Sequence, residues 1–100
     1  MSEKALTGKQ RRYLRGLGNQ LQPVVWVGVK GVNEGVRVAI ANAFEHADLL
    51  KIKLQEGFAG ERHEIAEQLA RTSNAELVQV LGKTILLYRR HPEKPKIELP

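Results

Sequence analysis

The stretch PVVWVGVKGVNEG, from Pro23 to Gly35, places an apolar run, a glycine loop and a helix start within thirteen residues. The continuous β-branched run is typical of a strand that is covered on both sides, which predicts Trp26 in the core. After the loop, Asn33 fits an N-cap, and Glu34 complements the positive end of a helix dipole. A strand that leads directly into a helix favours a parallel crossover, and hence an α/β fold.

The flanking sequence supplies the other elements. Upstream, Thr7 and Gln10 have the spacing of a capping box for a helix that is expected to end near Gly18. Downstream, LLKIKLQ alternates apolar residues with lysines, which predicts a strand with one exposed face. A helix in ERHEIAEQLARTSN precedes two strands that are joined tightly through Gly82 and Lys83.

The resulting order, α-β-α-β-α-β-β, predicts one α/β domain over residues 1–100. Its sheet is expected to be four-stranded and mixed, with parallel crossovers, a final antiparallel hairpin and packed helices. The core is expected at about residues 6–90. The proline-bearing segment 91–100 is expected to be an irregular tail, since prolines do not donate ladder hydrogen bonds.

The net charge of +5 is concentrated near the two ends of the chain. Residues 1–16 carry five Lys or Arg against one Glu, and residues 83–96 carry the same numbers. If the fold brings these segments together, they form one basic face that suits a polyanion. A solvated surface that only aids solubility explains the same composition, so both interpretations stay open at this point.

Residues for catalysis or cofactor binding do not form a recognisable pattern. The chain has no cysteine, and its three histidines lack the spacing of metal ligands. No nucleophile–base arrangement or cofactor fingerprint is present. No apolar run reaches about eighteen residues, and the N-terminus lacks the apolar segment of a secretory signal. We therefore expect no enzyme activity, cofactor, metal, small-molecule substrate or membrane partner, and a cytoplasmic protein.

The loop Gly28–Gly31 is the strongest candidate for a binding site. Glycines leave no Cβ in the way of an approaching backbone, and the following helix N-terminus offers amides and a positive dipole end to a phosphate. The GXXG loop of KH domains uses the same principle to hold a nucleic-acid backbone. An ordinary tight turn explains the pattern equally well on its own. Lys9, Arg12 and Lys83 are expected to flank the loop.

The aromatic residues are few, and the predicted sheet lacks the paired aromatics that an RRM uses to stack bases. Recognition of backbone and shape is therefore favoured over sequence-specific readout of single strands. Phe58 lies between glycines, either at the edge of the core or exposed for a partner. A protein-interaction module that uses Phe58 and the acidic third helix is accordingly an alternative function.

Three segments together resemble a CRM domain, the chloroplast RNA splicing and ribosome maturation domain, in its bacterial stand-alone YhbY-like form. They are LTGKQRRYLRGLGNQLQPVVWVGVKGVNEGV, NAFEHADLLKIKL and VQVLGKTILLYRR. The resemblance covers roughly residues 6–90 and implies a fold similar to the C-terminal domain of bacterial translation initiation factor three. It also implies RNA binding by a GxxG loop and nearby basic residues, which here are Gly28, Val29, Lys30, Gly31, Lys9, Arg12, Lys83, Arg89 and Arg90.

For bacterial members, the resemblance implies association with precursors of the large ribosomal subunit. The expected function is thus that of a monomeric RNA-binding protein that contacts large-subunit precursor rRNA and assists ribosome assembly. The alternative is a general RNA chaperone or splicing-type RNA binder without ribosomal specificity.

Overall fold

The computed structural model describes residues 5–100, which form three helices and four strands. In chain order they are α1 (Gly8–Gly18), β1 (Val25–Val27), α2 (Glu34–Phe44), β2 (Leu49–Leu54), α3 (Arg62–Thr72), β3 (Glu76–Leu81) and β4 (Thr84–Tyr88). The predicted order of elements is confirmed. Lys4, one of the N-terminal basic residues counted above, lies outside the described residues.

The four strands form one mixed sheet in the order β1-β2-β4-β3. β1 and β2 pair in parallel, whereas β4 pairs antiparallel with both β2 and β3. The last strand therefore lies inside the sheet rather than closing its edge. Because β1, β2 and β3 point the same way, the carboxyl ends of β1 and β2 lie at the same end of the sheet as the β3–β4 hairpin. We call this the loop end.

Each face of the sheet has its own apolar core. α2 and α3 pack on one face, where Phe44, Ile52 and Ile85 are among the most buried residues. α1 packs on the other face through Leu14, which meets Leu49, Val78, Leu86 and Tyr88. The sheet is thus the middle layer of three, and the two outer layers expose different surfaces.

The C-terminal segment, which has no helix or strand, adds to the core beneath α1. Ile97 and Leu99 pack there, although the sequence places them in an irregular tail. The buried carboxylate of Asp48 holds this segment in place. Its Oδ2 accepts hydrogen bonds from the backbone amides of Lys96, at 2.8 Å, and Ile97, at 3.1 Å.

The helix caps predicted from the sequence are present in the structure. The capping box at Thr7 and Gln10 begins α1, which ends at Gly18. The side chain of Asn33 caps α2 by accepting from the amide of Val36 at 2.9 Å. None of the helices in the described part of the chain is long and apolar enough to cross a membrane.

The prediction that β1 is covered on both sides is wrong. β1 is an edge strand whose residues alternate between buried and exposed, and the side chain of Trp26 is 50% exposed. Val25 and Val27 face the α2–α3 core, so Trp26 faces the layer that contains α1. α1 packs over β2 and β3 and leaves the β1 side of that face uncovered. A continuous apolar run therefore indicates a strand here without indicating two covered faces.

Candidate functional site

The loop Gly28–Gly31 is a tight turn at the loop end of the sheet. The amide of Gly31 donates to the carbonyl of Gly28 at 3.0 Å, and the φ angle of Gly31 is +71°. That left-handed conformation favours glycine. A Cβ added to Gly28 would instead lie 2.9 Å from Oε1 of Gln55, the end of a flexible exposed side chain. The two glycines thus serve different purposes: Gly31 adopts a left-handed backbone conformation and borders open space, whereas Gly28 lets the Gln55 side chain lie against the loop.

The side chains inside the loop point to solvent. Val29 is 72% exposed, and Lys30 is exposed as well. The loop leads directly into the N-terminus of α2, where the positive end of the helix dipole favours an anion. The carboxylate of Glu34 lies at the same helix end, and the guanidinium of Arg37 pairs with it at 2.8 Å. This pairing offsets the negative charge of Glu34 beside the loop.

Lys83 lies in the β3–β4 hairpin, at the same end of the sheet as the glycine loop. The amide of Gln55 donates to the carbonyl of Val27 at 2.8 Å, and the amide of Leu54 donates to the carbonyl of Lys83 at 2.8 Å. The Lys83 ammonium itself forms an exposed ion pair with Glu56 at 3.1 Å. The end of β2 therefore connects the loop with the hairpin.

Arg89 and Arg90 lie at the opposite end of the sheet. They follow Tyr88, which pairs with the first residues of β2 and β3. A strand as long as β2 spans roughly 17 Å. The Arg89 guanidinium also donates to the carbonyl of Ser73 at 3.0 Å and lies 5.1 Å from the centre of the Phe44 ring. Arg89 and Arg90 thus lie away from the glycine loop, and RNA contact by them stays a prediction.

Lys9 and Arg12 lie on the exposed side of α1. On the same helix Leu14 is fully buried toward the sheet, and the guanidinium of Arg11 donates to the carbonyl of Leu77 in β3. Lys9 and Arg12 therefore belong to the layer that Trp26 faces. α1 packs over β2 and β3, and a position of Lys9 and Arg12 beside the glycine loop stays a prediction.

The charges of the two outer layers have opposite signs. Residues 5–33, which contain α1, β1 and the loop, carry five Lys or Arg and no Asp or Glu. The exposed strand residue Lys53 adds a further positive charge to this face. On the other face, α2, α3 and their capping residues carry five Glu against three Arg. We call the first surface, formed by α1, the open β1–β2 face and the loop, the basic face.

A groove of about 620 Å³ opens in the basic face beside β1. It is lined by Trp26, Lys53, Leu54, Gln55, Glu56 and Lys83. Reasoning from the sequence missed Trp26 as a surface residue. The strand's own residues did not reveal it, because exposure here results from the edge position of β1 and from the path of α1. The acid-free run at 5–33, in contrast, is visible in the sequence.

The remaining candidates have structural explanations. Phe58 is half-buried and packs against the α2–α3 core. It therefore lies at the edge of the core, the first of the two positions considered from the sequence. Hydrogen bonds from the backbone and side chain of His63, and from the amide of Glu64, lower the pKa of Glu61. Glu61 thereby caps α3. Among residues 5–100, no group of three or more His, Cys, Asp or Glu side chains is arranged to hold a metal.

Comparison with known proteins gives consistent matches over nearly the whole chain. Residues 6–89 match the family described as the CRS1 / YhbY (CRM) domain. A Bacillus subtilis protein named "Probable RNA-binding protein YqeI" is 40% identical over 95 residues, which cover 95% of this chain and 99% of that protein. A Haemophilus influenzae protein named "RNA-binding protein" is 38% identical over 95 residues, 95% of each chain.

A solved structure shares the fold. The solution structure of the hypothetical protein SAV1595 from Staphylococcus aureus superimposes with a TM-score of 0.81 at 39% sequence identity. The match covers 95% of this chain and 99% of that one. The three-layer arrangement described above is therefore shared with a relative of similar sequence.

Proposed function

Because the chain belongs to the CRS1 / YhbY (CRM) domain family, we propose that it is an RNA-binding protein that holds the phosphate backbone on its basic face. The observation that carries the proposal is the separation of charge between the two layers, together with the glycine loop at the edge of the positive one. The names of the B. subtilis and H. influenzae relatives support the class of ligand.

In this mechanism a phosphate approaches the loop at Gly28 and Gly31, which carry no Cβ, and the α2 N-terminus offers its dipole. Lys30 adds a mobile positive charge, and Lys83 adds another across the loop end. Lys9 and Arg12 extend the contact along α1 toward neighbouring phosphates. Release of counterions from the RNA then supplies much of the affinity.

The loop contribution is tested by neutralising one charge on each layer. Lys30→Gln removes a positive charge from the loop, and Arg71→Gln removes one from the exposed side of α3. We expect Lys30→Gln to weaken binding to structured RNA and to lower the slope of log affinity against log salt by about 0.7–0.9. Arg71→Gln should leave both nearly unchanged. Equal effects of the two variants would show that only net charge matters.

We further propose that the RNA is rRNA of a large-subunit precursor, and that the protein acts as a cytoplasmic monomer that assists assembly without catalysis. The resemblance to the bacterial stand-alone form supports this finer assignment. Gradient sedimentation of cell extracts tests it. Comigration with particles that precede the large subunit is expected. An even distribution over RNAs would favour a general RNA chaperone or splicing-type binder instead.

A further inference from the structure

Trp26 is held in a defined position while its ring faces solvent. Val25 and Val27 on either side are 3% and 0% exposed, so the core fixes the backbone of β1. The indole between them is 50% exposed. A rigid backbone that presents an open aromatic surface is what a stacking contact requires, since little conformational freedom is lost when the ligand binds.

A positive charge lies beside the indole. In the parallel pairing of β1 with β2, Trp26 lies opposite Lys53, and both side chains lie on the basic face. The groove continues from Trp26 past Gln55, whose side chain adjoins Gly28 of the loop. Glu56 is the one carboxylate of the groove lining, and it is paired with Lys83 at 3.1 Å. The groove thus connects an aromatic surface with the proposed phosphate site.

An aromatic ring beside lysines complements a nucleotide, whose base is flat and apolar on its faces and whose phosphate is negative. In a duplex those base faces are covered by neighbouring pairs, so only an unpaired base can reach the ring. We propose that Trp26 is a stacking platform for an unpaired nucleobase of the bound RNA, with the adjoining phosphates on Lys53 and the glycine loop. This inference rests on the proposed function and adds the requirement for a single-stranded segment.

A second copy of the chain is the competing occupant, because β1 is an edge strand and Val24 is also exposed. Two copies that met at this face would bring the basic residues Lys51 and Lys53 of each close to their counterparts. That like-charge contact opposes association, whereas a polyanion removes it. An acidic peptide would satisfy the charge, but it would lack the flat base that stacks on the face of the indole.

The test uses intrinsic fluorescence, because Trp26 is the only tryptophan of the chain. The wild-type protein is titrated with an oligoadenylate of about ten nucleotides and, separately, with a blunt RNA duplex that has the same number of phosphates. We expect the single strand to quench the indole emission and the duplex to leave it nearly unchanged. Anisotropy of the labelled strand measures binding by the variants, which lack the tryptophan; Trp26→Ala should bind the single strand about 5- to 150-fold more weakly. Trp26→Phe should retain most of the affinity.

Thermal unfolding of both variants checks that the fold is intact. We expect it to be intact because the side chain of Trp26 is half-exposed. The inference is overturned if the single strand binds while the emission stays constant and Trp26→Ala binds as tightly as the wild type. That result would leave the proposed RNA-binding function standing. It is also overturned if the emission changes with protein concentration alone and sedimentation shows a dimer. Absence of binding to either RNA would refute the proposed function as well.

Discussion

Replacement of Gly28 by Asp separates a functional role of the loop from a structural one. The added Cβ lies near the end of the Gln55 side chain, which is exposed and free to turn away. The backbone at Gly28 does not have a positive φ. The expected loss of stability is therefore within about 0.5 kcal/mol, as for ordinary surface substitutions. For a domain of this length, that loss lowers the melting temperature by only about 2–4 °C.

The effect on RNA binding should be larger. A carboxylate within about 4 Å of a phosphate repels it by about 1 kcal/mol in water and about 4 kcal/mol in a less polar surface environment. The affinity should accordingly fall by at least about 5-fold. Gly28→Asn is the matched control, since it has the same shape without the charge. It should fall between the wild type and Gly28→Asp, because its side chain still obstructs the close approach.

Anisotropy of a labelled structured RNA gives the affinities at low and high salt, and circular dichroism gives the melting temperatures. The difference between Asp and Asn should shrink as salt rises, since salt screens the repulsion. Two results would refute the reasoning. A large drop in melting temperature would show that Gly28 is structural, and unchanged binding by a folded Gly28→Asp would show that RNA does not approach the loop.

Three further predictions concern stability. In α1, Gly18→Ala would press a methyl group into the buried side chain of Leu86 and should destabilise the fold by about 1–3 kcal/mol. The methyl group of Gly16→Ala meets no atom within 4 Å, so this substitution should stabilise the fold by about 0.5–1 kcal/mol. Urea unfolding measures both changes. Hydrogen bonds lower the pKa of Glu61 below its ordinary 4.5, so its contribution to the free energy of unfolding is present above that pH and is lost as the pH falls through the lowered value. Burial raises the pKa of Tyr88 above its ordinary 10.0, so its contribution to the free energy of unfolding is present below that pH and is lost as the pH rises through the raised value. Thermal unfolding at acid pH tests the effect of Glu61, and thermal unfolding at alkaline pH tests that of Tyr88.

Local sequence signals predicted the elements of the fold well. The capping box at Thr7 and Gln10 depends only on residues three apart, and the exposed Lys53 follows from alternation within one strand. The tight β3–β4 connection through Gly82 and Lys83 is equally local. In each case the residues that determine the structure are neighbours in the sequence, so the pattern is visible without knowledge of the tertiary packing.

The features of the site that the sequence did not reveal depend on distant contacts. Trp26 is exposed because α1 lies over β2 and β3, and no pattern inside VVWVG encodes where that helix lies. The guanidinium of Arg89 contacts the Ser73 carbonyl and the Phe44 ring, and both of these residues are distant from Arg89 in the sequence. The antiparallel insertion of β4 between β2 and β3 also determines which end of the sheet Arg90 occupies.

RNA binding to the basic face at the glycine loop can be followed residue by residue in a two-dimensional NMR titration with single-stranded RNA. We expect the backbone amides of Gly28, Lys30 and Gly31 and the indole N–H of Trp26 to shift most, with the shifts weakening as salt is added. Shifts concentrated instead on the exposed side of α3, around Glu64 and Arg71, with the loop and the indole unchanged, would contradict it.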